Sequence, residues 1–107
     1  CQGLATMLGW KNLHFFAGEI DHYKEADTVD LVICLHACNT ATDAALEQAV
    51  RRQAKVILCA PCCQHELFNQ LYAPSLTPLL KHGIIKERVS ALVTDAIRGQ
   101  LLEACGY

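Results

Sequence analysis

Half of the chain's thiols and imidazoles gather in two knots. Cys59-x-x-Cys62-Cys63-x-His65 forms one, and His36-x-Cys38-Asn39 forms the other. Three chemistries use such groups. Thiolates and imidazoles at this spacing are metal ligands, and Cys38 with His36 would complete a tetrahedral set. A cysteine at the amide-rich start of a helix is a nucleophile, because those amides lower its pKa. The third chemistry is a pocket wall: Pro61, Cys62 and Cys63 make a compact turn, and His65 packs at a helix start. His36 then has two roles to choose between. It is a general base, since imidazole titrates near neutrality, or a structural donor to a backbone carbonyl. The metal set is disfavoured because Cys59 lies inside an apolar run, and because a second CxxC and a Gly-rich knuckle are missing. The pocket wall is the reading adopted, with no metal ligand assigned.

The elements that must carry these groups read as an alternating pattern. "VDLVICLHAC" and "AKVILCAP" are short apolar runs, the signature of strands buried on both faces of a parallel sheet. Between them, "NTATDAALEQAVRRQ" has helical spacing at Ala41, Ala45, Leu46, Ala49 and Val50, with Thr40 and Asp43 as a capping box. Strand, helix and strand in this order make a βαβ crossover. Upstream, a helix closed by Gly9 precedes a strand expected at about 13–17, then the polar segment "DHYKEADT". Downstream, residues 64–72 read as an amphipathic helix ended by Pro74, and Pro78 opens a short helix closed by Gly83. The tail forms a long helix with Val89, Leu92, Val93, Ala96, Ile97, Leu101 and Ala104 on one face, capped by Gly106. Ligands of open parallel sheets bind at the carboxyl ends of strands. Three such ends carry the notable residues and should share one rim: Gly18-Glu19-Ile20, His36-Ala37-Cys38-Asn39, and Pro61 to His65.

Composition narrows the class. The 107 residues suit one domain, and 52% hydrophobic against 19% charged residues describes a globular chain. A net charge of −2 supplies no general attraction to polyanions. The basic clusters Arg51, Arg52, Lys55 and Lys81, Lys86, Arg88 read as solvated helix ends. Seven cysteines, an odd set with Cys34 and Cys59 inside strands, point to a reducing cytoplasmic setting. No apolar run reaches membrane-spanning length, and no signal peptide is expected. A first residue of Cys, followed directly by what reads as the end of a helix, suggests a piece of a longer protein.

The pair "LHACNTATDAAL" and "APCCQHEL", backed by "IIKERVSALVTDAIRGQLLEACGY", resembles one family of class I S-adenosylmethionine-dependent methyltransferases. Its members carry LHACDTATD-like and PCCQHE-like segments after the fourth and fifth strands. Asn39 stands where that pattern has Asp. The resemblance implies a Rossmann-like α/β fold: a methyltransferase fragment in which a short parallel sheet has helices on both faces. Residues 1–107 would be a partial domain, holding the third to fifth family strands but lacking the Gly-rich cofactor loop and the final strands. The same resemblance places Glu19, Ile20, His36 and Ala37 beside the cofactor S-adenosylmethionine. It makes His36, Cys38 and Asn39 catalytic candidates, and Pro61, Cys62, Cys63 and His65 the substrate pocket. Some cytosine methyltransferases use a cysteine at these strand ends, but their flanking motifs differ from these. The implied function is methyl transfer to RNA or protein by the full-length parent, the fragment alone being inactive. The alternatives are a non-catalytic binding module and a Cys/His metal-binding domain. An incomplete sheet edge is expected either to pair 13–17 with 31–35 or to associate with another copy, a homo-oligomer; no membrane partner is expected.

Overall fold

The computed structural model describes residues 1–23 and 27–107. In chain order the elements are α1 (Gln2–Met7), β1 (Leu31–Leu35), α2 (Thr40–Arg51), β2 (Val56–Ala60), α3 (Thr77–Leu80) and α4 (Gly83–Ala104), with 3-10 turns at Ile20–His22 and Pro74–Leu76. Part of the polar segment before β1, residues 24–26, lies outside the described residues.

The βαβ unit forms as its pattern dictates. β1 and β2 pair in parallel, with Leu31 opposite Val56 and Leu35 opposite Ala60. The crossover is α2, which buries Thr42, Ala45, Leu46 and Ala49, one stripe at helical spacing. Ala49 is wholly enclosed and Ala54 nearly so. Small side chains at these two positions let the helix and its return loop lie close to the strands. The positive φ of Gly9 and of Gly106 follows α1 and α4, where a left-handed residue ends a helix at little cost.

Several expectations need correction. The strands are not buried on both faces: Val32, Cys34, Ile57 and Cys59 face the helices, whereas Leu31, Ile33, Leu35, Val56 and Leu58 are exposed. Alternate residues of a strand point to opposite sides, so the second set forms one open aliphatic face. Helices α2 and α4 are tied to each other through the Arg98–Asp43 pair, and the exposure of these five side chains shows that, among the described residues, no helix covers the open face. Among the described residues the sheet has two strands only, and 13–17 runs as irregular chain without pairing to β1. Its aromatic side chains instead reach the flank of the sheet, where Phe16 meets the Tyr23 ring edge-on. Thus two strand ends, not three, form the rim.

Residues 64–72 make turns and not a helix. Pro74 opens a 3-10 turn, and Gly83 begins α4 instead of closing α3. The face of α4 is also rotated from the apolar one expected. Ser90 and Arg98 are its buried residues, while Leu92, Ile97 and Leu101 are exposed. An ion pair to α2 explains the rotation, since it draws the stripe containing Ser90, Thr94 and Arg98 inward. The hydroxyls of Ser90 and Thr94 are satisfied within the helix, donating to the carbonyls of Lys86 and Ser90 at 2.8 and 2.9 Å. The radius of gyration is 17.6 Å, above the roughly 13 Å of a compact chain this long. The molecule is a slab of 58 × 30 × 19 Å, consistent with one layer of helix on one layer of sheet.

Candidate functional site

At the carboxyl end of β1 the backbone turns sharply. His36 has φ 60° and Asn39 has φ 51°, both in the left-handed region that non-glycine residues rarely occupy. Local hydrogen bonds hold this loop. Thr42 Oγ1 donates to the Ala37 carbonyl at 2.5 Å, and Asn39 N–H donates to the Cys63 carbonyl at 2.9 Å. In return, His65 N–H donates to Asn39 Oδ1 at 3.0 Å. Asn39 therefore stitches the loop after β1 to the loop after β2. The expected capping box does not form; Asn39 is the N-cap of α2 without a side-chain cap bond, and the Asp43 carboxylate turns to Arg98.

This stitching brings three thiols together. Cys38 Sγ lies 3.3 Å from Cys62 Sγ, and Cys38, Cys62 and Cys63 form a group whose sulfurs are all within 4.8 Å of one another. Cys38 and Cys62 are exposed and Cys63 is half-buried, so the trio opens to solvent. The Cys38 thiol, hydrogen-bonded first to Cys62 and then to Cys63, is pushed up to about 11. Its bond to Cys62 has the opposite effect on that partner, holding the Cys62 thiol below its ordinary value. Of this bonded pair, Cys62 is thus the sulfur that ionises first. Cys59 is not part of this group. It lies opposite Cys34 in the register, and burial pushes its thiol up to about 11.

The other sequence candidates take distinct places. Exposed His36 touches the trio through its carbonyl, which faces Cys38 Sγ at 3.9 Å. His65 is exposed and joined to Asn39 through its backbone; Pro61 is half-buried where the β2 loop begins. Glu19 and Ile20 lie at the 3-10 turn, where the Glu19 carboxylate is 4.0 Å from His22 Nδ1 on the surface. Ile20 and Ala37 do share a cavity of about 370 Å³ beside β1, together with Phe16, Tyr23, Val32 and Cys34. Arg52 closes its base, stacked 5.2 Å above the Tyr23 ring and hydrogen-bonded to the Tyr23 carbonyl and to Gln48.

Sequence reasoning missed the network behind the rim. Arg98, its side chain only 9% exposed, donates from Nε and Nη2 to the two oxygens of Asp43 at 2.6 and 3.1 Å. Nη2 also donates to the Asn39 carbonyl at 3.1 Å. One turn earlier, Asp95 accepts from Gln64 Nε2 at 2.6 Å. The guanidinium holds its proton more tightly than usual, chiefly through its bonds to Asp43. One helix thus grips both loops that carry the thiols. The sequence signal was an arginine one residue beyond the expected apolar face, with an acid three residues before it.

The profile of the family described as "Methyltransferase domain" matches residues 1–70. That span contains both knots and the whole βαβ unit. The chain belongs to this methyltransferase-domain family. A protein named "Glutathione S-transferase C-terminal domain-containing protein homolog", from Drosophila pseudoobscura pseudoobscura, is 38% identical over 66 residues. The alignment covers 62% of this methyltransferase-domain chain and 11% of that protein, so the chain spans a small part of the curated relative it matches. No solved structure matches. Among the described residues, no helix is long and apolar enough to cross a membrane.

Proposed function

We propose that the chain is part of a class I S-adenosylmethionine-dependent methyltransferase with a Rossmann-like sheet, acting on RNA or protein in the cytoplasm. The observation that carries this reading is the convergence of the two resemblance motifs at one rim, where Asn39 binds both the Cys63 carbonyl and the His65 amide. The βαβ topology supports it, since ligands of such sheets bind at this end of the strands.

The cavity lined by Ile20 and Ala37 fits the adenosine half of the cofactor in its chemistry. Its walls are chiefly aliphatic and aromatic, with Gln48 and Arg52 as polar members, and Ala37 joins it to the thiol-bearing loop. When bound, the cofactor supplies a methyl group on a sulfonium. The chain's own residues orient and exclude water: Ile20, Tyr23 and Ala37 hold the apolar side, while Cys38, Cys62 and Cys63 wall the acceptor side. In this reading His36, which is exposed at the rim, takes a proton where the acceptor carries one. No G-x-G turn stands in the sequence to hold the cofactor's amino-acid end, so the 107 residues alone should bind S-adenosylmethionine weakly and not turn over. The free edge of β1 is a place for a further strand, from the parent protein or from a second copy.

Thermal unfolding of the full-length protein with and without S-adenosylmethionine tests the reading. The expected result is a cofactor-dependent rise in melting temperature, with methyl incorporation into RNA or protein from cells lacking the gene. Complete indifference to the cofactor would instead support a non-catalytic module that keeps the sheet.

A further inference from the structure

We propose that Cys38, Cys62 and Cys63 together form a zinc(II) site of three thiolates with a fourth position open to solvent. The inference does not rest on methyl transfer. It begins from distances. Zinc–thiolate bonds of about 2.3 Å in tetrahedral geometry set their sulfurs about 3.8 Å apart. In this trio the sulfurs already lie within 4.8 Å of one another, and the Cys38–Cys62 pair needs only to open from 3.3 Å. Neither His36 nor His65 supplies a nitrogen to that group, so the protein offers sulfur alone, a donor set that selects soft ions such as zinc over magnesium or calcium.

Two further features fit a metal. The three thiols come from two loops that Asn39 locks together, so the donors are held in place before any ion arrives. The Cys38 and Cys62 side chains are exposed, which gives an ion an entry path and leaves the fourth coordination position to water. Three protein ligands with one open position is the arrangement in which zinc activates a bound water or a substrate thiol or hydroxyl. Charge balance is simple. Each thiol that binds gives up its proton, so one zinc(II) displaces up to three protons and the site carries one net negative charge. The Cys38–Cys62 pair, with Cys63 beside it, meets at one solvent-facing mouth, apart from Cys34 and Cys59, which lie opposite each other in the sheet.

The reduced, metal-free chain is dialysed against buffered zinc at pH 7.5, and bound zinc is counted by elemental analysis. The expected result is one zinc per chain. Cys38→Ser, Cys62→Ser and Cys63→Ser should each weaken binding at least tenfold, while Cys105→Ser should leave it unchanged. Circular dichroism of each variant confirms the helices are intact. X-ray absorption at the zinc edge of the unaltered chain gives a readout that needs no variant: three sulfurs at about 2.3 Å are expected. Less than a tenth of a zinc per chain, uptake indifferent to all three serines, or a shell dominated by nitrogen or oxygen would each overturn the site.

Discussion

The sulfur of Cys62 and that of Cys38 share one hydrogen bond, which shifts their pKa values in opposite directions, Cys62 down and Cys38 up. A lowered thiol ionises at a lower pH than the ordinary value near 8.5, so Cys62 keeps its thiolate in that window and loses it only as pH falls through its own lowered value. Cys38 stays protonated until about 11. Iodoacetamide at pH 7.5 should therefore modify Cys62 well before Cys38, and peptide mapping of a time course will read the order. Reaction at Cys38 first would contradict the shared bond. Cys59, held protonated by burial, should react slowest of the three. Asn39 invites a second comparison. Its side-chain oxygen is an acceptor for the His65 amide, and its backbone sits at positive φ. Asn39→Ala removes the acceptor and keeps an unfavourable backbone, so urea denaturation should show a loss of about 1–2 kcal/mol. Asn39→Asp keeps the acceptor and should cost much less.

At the scale of elements, α4 is the clamp. Arg98 is buried while its partner Asp43 is half exposed, so removing the arginine leaves a carboxylate that water reaches in part. Arg98→Met should cost about 2 kcal/mol, less than for a fully buried pair, and lower the melting temperature by several degrees. It should also loosen the Asn39 loop, read as faster alkylation of Cys38. What the sequence made legible follows from periodicity. Strands β1 and β2, the crossover α2 and the glycine ends of α1 and α4 each rest on local pattern, and each formed where that pattern lay. The meeting of the two thiol-bearing loops was readable too, because a parallel crossover puts both strand ends on one rim. Less readable was anything set by side chains far apart in sequence. The rotation of α4 depends on Arg98 finding Asp43 in α2, which no helical wheel of α4 alone contains. Residues 13–17 have the composition of a strand, but a strand exists only by pairing; β1 pairs with β2 on one edge, and among the described residues 13–17 does not take the other.

For the whole molecule, the open aliphatic face is the dominant feature. Leu31, Ile33, Leu35, Val56 and Leu58 are each about half exposed on one side of a parallel sheet, a kind of sheet usually covered on both sides. Such a surface is expected to bring copies together. Light scattering after size exclusion should show association that rises with concentration, and Ile33→Lys with Leu58→Lys should return the chain to a monomer with its helices intact. A monomer at every concentration would remove the second-copy proposal. The slab shape carries one more consequence. A body only 19 Å through has no deep interior, so no peptide group is far from solvent deuterium. Lasting protection from exchange should be confined to the amides that β1, β2 and α2 lock against one another. The thiol-bearing loops lie outside that ladder and should trade their amide protons before the strands do, while the bonds of Asn39, Arg98 and Gln64 keep their sulfurs in register.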